Sequence, residues 1–127
     1  MLEYKIRQTG DVTILDLSGR ISVGEALAFG PGSGVVLGEV VRGLAKKGQR
    51  KILLNLKDVT YADSSGVGDL VGSLASLQRQ GGELKLFNPN PRLSELLRIT
   101  HVYQLFEIKD DEVSAIQSFS KPAAAAG

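Results

Sequence analysis

Asp63-Ser64-Ser65-Gly66-Val67-Gly68 packs a carboxylate, two hydroxyls and two glycines into six residues. Asp63 stands just ahead of an apolar-periodic run, where its carboxylate can accept from the free backbone donors of a first helical turn. Ser64 is then the tip of that helix, open to solvent or to a partner. Gly66 and Gly68 remove side-chain bulk and let another backbone approach closely. On its own such a segment is an ordinary capped helix start. Its hydroxyls suit either nucleophilic catalysis or covalent modification. A hydrolytic triad with His101, the single histidine, is poorly supported. A nucleophile elbow wants Gly-x-Ser-x-Gly, and Ala62-Asp63-Ser64-Ser65-Gly66 begins with alanine. His101 follows Thr100 at a helix end, where a polar or dipole-facing role is usual. One histidine and no cysteine argue against a transition-metal site. Gly30-Pro31-Gly32-Ser33-Gly34 fails both nucleotide fingerprints, since Val35 replaces the glycine of a dinucleotide loop and no Gly-Lys-Ser/Thr occurs. It reads as a connector.

The elements that position the motif follow from periodicity. Residues 4–9 and 12–17 read as strands joined by the turn signal Gly10-Asp11, with 18–20 closing the second. Residues 21–34 read as a loop marked by Gly24, Gly30, Pro31, Gly32 and Gly34. From about Val36, the residues Val36, Leu37, Val40, Val41 and Leu44 form one helical stripe, and Gly48 suits the C-terminal left-handed position. The apolar run 51–56 is a strand covered on both faces, and 57–62 a polar connection. A helix over about 64–80 turns Val67, Leu70, Val71, Leu74 and Leu77 inward and ends at Gly81-Gly82. Residues 83–87 form a strand. Asn90 caps a helix with Pro91 at its first position, and Leu93, Leu96, Leu97 and Ile99 supply its apolar side. A strand over 105–108 and a helix near 110–119, with Val113, Ile116 and Phe119 inward, complete an alternating α/β domain.

Composition narrows the function classes. The 127 residues suit one domain, 43% hydrophobic and 23% charged. A net charge of +1 gives no electrostatic footprint for nucleic acid. The longest basic cluster runs from Lys46-Lys47 to Arg50-Lys51, and Lys46 and Lys47 are explained by a helix C-terminus, where cations complement the dipole. No signal-like stretch or run of membrane-spanning length occurs, so a cytoplasmic protein without direct membrane insertion is expected.

Strand, polar loop, Asp-Ser-Ser-Gly-aliphatic-Gly, helix, Gly-Gly, strand, Asn-Pro, helix: this order resembles the STAS family, and specifically the bacterial anti-sigma factor antagonists, from Tyr4 to Phe119. The resemblance implies a single domain over residues 1–120, a mixed sheet of about five strands packed with about four α-helices, and a disordered tail over 121–127. It implies a non-enzymatic partner switch without cofactor or metal. In this family the unmodified antagonist binds an anti-sigma factor that is also a serine kinase, and so frees the sigma factor. Phosphorylation ends the binding, and a metal-dependent serine phosphatase restores it. By position the modified serine is Ser64. Ser65 is the secondary candidate, with a capping or packing role expected. Partner contacts are implied at Gly19, Arg20 and Ser22 and, on the helix, at Val67, Gly68, Asp69 and Ser73. The same fold also serves as a scaffold in stress-sensing complexes and as a regulatory subunit of membrane transporters, the alternative reading. The chain departs from its apparent relatives at 23–35, an insertion holding Leu27 and Phe29 on the side where the family meets its partner.

Overall fold

Gly10, at φ 60°, turns the chain between β1 (Leu2–Thr9) and β2 (Val12–Ile21), an antiparallel hairpin with Thr9 opposite Val12. A two-residue connection needs positive φ to match the strand twist, which glycine supplies without strain. The computed structural model describes residues 2–24 and 36–119. Most of the 23–35 insertion and the whole 121–127 tail therefore lie outside the described residues, while Val23 and Gly24 are helical where a loop was expected.

After the hairpin every new strand is parallel: β3 (Lys51–Ala62), β4 (Glu83–Phe87) and β5 (Ile108–Lys109) extend the sheet in the order β1-β2-β3-β4-β5. The connections hold α1 (Leu37–Lys46), α2 (Ser64–Arg79) and α3 (Pro91–Ile99), and α4 (Glu112–Ser118) follows β5. A sheet that grows one way by right-handed crossovers stacks its connecting helices on one face. Accordingly Val41, Leu44, Leu70, Leu77 and Leu97 from α1, α2 and α3 pack with Leu15, Leu17, Ile52, Leu54 and Leu86 in the larger core. On the opposite face α4 sets Ala115 and Phe119 on Val12, Ile14, Leu53 and Phe87. The side-chain alternation of a strand divides Ile52 and Leu54 from Leu53. The α/β class, the five-stranded mixed sheet and four α-helices among the described residues match the expectation.

Local endings follow familiar chemistry. Asn90 caps α3 by accepting from Leu93 N at 2.9 Å, with Pro91 first in the helix. Gly48 and Gly81 take φ of 90° and 78° just beyond α1 and α2.

Three boundaries differ from the reading above. Residues 57–62 are the second half of β3, and 18–20 continue β2. The smaller core reaches only the N-terminal halves of these strands, so Lys57, Asp58, Thr60 and Tyr61 lie exposed while Leu56 and Val59 stay buried. The last strand is Ile108–Lys109, because Tyr103–Leu105 forms a 3₁₀ turn with Leu105 N bonded to Val102 O. Val113 and Ile99 point outward at 64% and 67% exposure, since Ala115 on α4 and Leu93 and Leu97 on α3 already fill the contact faces.

Candidate functional site

The C-terminal ends of β2 and β3 run side by side, Ile21 opposite Ala62, and deliver Ser22 and Asp63 to the same edge. Open parallel sheets place sites at such strand ends. Asp63 is the N-cap of α2, at φ −101° and ψ −177°. Its Oδ1 accepts from Gly66 N at 2.9 Å and from Ser65 Oγ at 2.6 Å, and its Oδ2 accepts from Ser22 Oγ. The Ser22 hydroxyl, followed by that of Ser65, holds the carboxyl below its ordinary value. Ionised Asp63 is the hub that ties β2 to the helix.

Two neighbouring serines have opposite environments. Ser65 is half-buried, and its oxygen also accepts from Val23 N at 3.1 Å and Gly24 N at 3.2 Å. Ser64, first residue of α2, is exposed, and its hydroxyl makes no hydrogen bond with any described residue. A hydroxyl without partners among the described residues, at a helix tip, can carry an anionic group, because the dipole and the local amides favour negative charge there. His101 lies beyond the end of α3, exposed and at φ 61°, and no described residue hydrogen-bonds the Ser64 hydroxyl as a base would. Among the described residues no group of three or more His, Cys, Asp or Glu could hold a metal.

The two glycines of the motif differ as well. A Cβ at Gly66 would lie 1.8 Å from Ile21 O, so α2 rests on the end of β2 through a contact that only glycine permits. A Cβ at Gly68 would meet nothing within 4 Å, and the position faces solvent.

The implied contact residues separate into inward and outward groups. Val67 is buried in the larger core. Ser73 is 1% exposed and donates to Asp69 O. Half-buried Asp69 accepts from Leu37 N at 2.8 Å and Gly38 N at 2.9 Å, so it caps α1 from the neighbouring helix. Desolvation pushes its carboxyl above the ordinary value. Val67, Asp69 and Ser73 are thus committed within the chain, and the exposed face of α2 runs through Ser64, Gly68 and Gly72. On the β2 side, Gly19 takes φ 93°, and the Arg20 guanidinium lies 4.6 Å from the centre of the Tyr61 ring.

Sequence reasoning did not single out Tyr61 or the Ser22–Asp63 link. Nor did it find the capping role of Asp69, although a signal existed. Val36, at the N-cap of α1, has no side chain that can accept, so the cap had to come from elsewhere. Next to the motif, Tyr61 and Ala62 join Leu96 and Ile99 of α3 around a shallow apolar cavity of about 330 Å³, with Arg92 and Glu95 at its lining.

Comparison with known proteins gives this geometry a context. Residues 3–115 match the STAS domain family. The anti-sigma-B factor antagonist of Bacillus subtilis (strain 168) is 38% identical over 85 residues, which cover 67% of this chain and 77% of that protein. The crystal structure of a candidate anti-sigma factor antagonist from Thermotoga maritima superposes with a TM-score of 0.75 at 27% identity, covering 91% of this chain and 92% of that one. The unphosphorylated form of the anti-sigma factor antagonist SpoIIAA gives a TM-score of 0.69 over 92% of this chain and 96% of that one, at 18% identity a likeness of fold. With the family matched across nearly all of its length and these relatives beside it, the chain belongs to the STAS domain family.

Proposed function

We propose that this protein is an anti-sigma factor antagonist, a non-enzymatic partner switch governed by phosphorylation of Ser64. The observation that carries the reading is the contrast between the two serines. Ser64 is exposed and its hydroxyl has no hydrogen bond to a described residue, while the Ser65 hydroxyl is held by Asp63 and by two backbone amides. A kinase can reach the first without disturbing the fold. Phosphorylation adds about −1.5 to −2 charges near neutral pH. The helix N-terminus accommodates that charge within the chain, but a closely packed partner has to desolvate it. A loss of about 3 kcal/mol at such an interface weakens binding more than a hundredfold.

In this reading the unmodified protein binds an anti-sigma factor serine kinase and frees a sigma factor, and a metal-dependent serine phosphatase reverses the modification. The docking surface comprises Ser64, Gly68 and Gly72 on α2 together with Gly19 and Arg20 on β2, with Ser22, buried just beyond β2, holding Asp63 behind it, and the apolar cavity beside Tyr61 can receive a partner side chain. The protein acts in the cytoplasm as one domain over residues 1–120, without nucleic acid. No helix among the described residues is long and apolar enough to cross a membrane.

The test is incubation with the cognate anti-sigma kinase and ATP, followed by mass spectrometry and a binding assay. One phosphate at Ser64, absent in Ser64→Ala, and loss of kinase binding in Ser64→Glu are the expected results. Modification elsewhere, or full binding by Ser64→Glu, overturns the reading and leaves a scaffold or transporter-associated role to the same fold.

A further inference from the structure

β1 is the edge of the sheet, and no other described strand pairs with its outer side. Seven of its eight residues are exposed. An open row of backbone N–H and C=O groups along such an edge is a template for another strand. Its two faces differ. Tyr4 and Ile6, opposite Leu17 and Leu15, continue the face of the larger core and are 39% and 52% exposed. Glu3, Lys5 and Arg7 occupy the other face by alternation. Arg7 is engaged with Asp16 and Glu112, each at 2.6 Å. The side chains of Glu3 and Lys5 make no hydrogen bond or ion pair with any described residue, and Lys5 feels Asp16 across the strand pair only as a weak, longer-range attraction.

The charges select one arrangement of this strand against a second copy of itself. An antiparallel, two-fold pairing centred on Tyr4 sets Glu3 opposite Lys5 of the other copy at both ends, Tyr4 opposite Tyr4, and Leu2 opposite Ile6. Centring on Lys5 or Glu3 opposes like charges on the axis, and centring on Ile6 opposes Lys5 to Arg7. A slip by one residue turns the apolar face of one copy against the charged face of the other. Lysine on an edge strand ordinarily blocks pairing, and here Glu3 answers it in a single register.

We propose that β1 is a homodimerisation edge, which joins two five-stranded sheets into one continuous sheet through the register centred on Tyr4. The contact is isologous and closed, so it yields a dimer and no fibre. It uses none of the residues assigned to the kinase surface, and it stands or falls independently of Ser64.

Sedimentation velocity on the full chain over a concentration series tests the pairing, with circular dichroism to verify the fold of each variant. The expected result is a reversible monomer–dimer equilibrium below about 1 mM. Lys5→Glu and Glu3→Lys each replace two attractive cross-strand pairs by two repulsive ones and weaken dimerisation about tenfold or more. The double variant Glu3→Lys/Lys5→Glu exchanges the charges and restores the dimer. A chain that stays monomeric throughout, a dimer indifferent to either single change, or a loss that the double change does not repair overturns the proposal. The rescue arm separates a register effect from a folding defect.

Discussion

Replacing Gly66 by alanine puts a methyl group where Ile21 O already stands. The Cβ would lie 1.8 Å from that oxygen and 2.5 Å from Ile21 C, both far inside contact distance. Neither atom is the end of a flexible side chain, so α2 has to lift off the strand end. The same displacement stretches the bond from Asp63 N to Ile21 O, already 3.4 Å, and the link from Ser22 to Asp63. Overpacking against a fixed neighbour costs about 1–3 kcal/mol, occasionally more. Alanine returns about 1 kcal/mol of helix propensity, and the lost or lengthened hydrogen bonds cost about 1 kcal/mol each. The net expectation is a destabilisation of about 2–3 kcal/mol, which for a domain of this size lowers Tm by roughly 10 °C. Gly68→Ala is the matched control in the same helix. With nothing within 4 Å of its Cβ, it gains propensity alone and stabilises by about 0.5–1 kcal/mol. Urea unfolding of both variants, read at constant m-value, measures the difference. If Gly66→Ala unfolds within about 0.5 kcal/mol of the parent, or Gly68→Ala loses as much as Gly66→Ala, then α2 does not rest on the end of β2 as described.

The serines and the carboxylates carry three further expectations. Ser64→Ala leaves the urea midpoint within about 0.5 kcal/mol of the parent, whereas Ser65→Ala, which strips bonds to Asp63, Val23 and Gly24, costs about 1–2 kcal/mol; equal midpoints would contradict the contrast between them. Asp69→Ala removes the cap of α1 and costs about 1–2 kcal/mol in the same assay, with amide exchange accelerated at Leu37 and Gly38; unchanged exchange there would remove Asp69 from that role. Because Asp63 is held low mainly by Ser22 and then by Ser65, its contribution is complete above the unfolded carboxylate value of about 3.9 and fades as the pH falls through its lower folded value. Asp63→Asn therefore flattens the acid limb of a stability–pH curve, and an acid limb as steep as the parent's would count against the carboxylate as hub.

How far the sequence reaches is clearest at particular residues. The helix starts at Asp63 and Asn90 and the left-handed glycines at 48 and 81 are local chemistry, written within a few neighbouring residues, and they are legible. The second half of β3 was not. Its polar residues resemble a connection because no described helix packs over the sheet face there, a fact of tertiary layout. Val113 was assigned inward from periodicity, but a seven-residue helix has room for only a narrow contact face, and Ala115 and Phe119 take it. At the site, the position of Ser64 at the helix tip followed from the cap beside it. The inward roles of Val67, Asp69 and Ser73 could not be read from their own helix, since Asp69 meets amides more than thirty residues away.

Ser65 holds the amides of Val23 and Gly24, and Asp69, one turn further along the same helix, holds those of Leu37 and Gly38. Both ends of the glycine-rich stretch are therefore clamped to a single helix. Changes between the clamps are expected to leave the bonds of Ser65 and Asp69 in place. Under the proposed function, such a stretch is the part of the chain expected to diverge to suit a new binding protein.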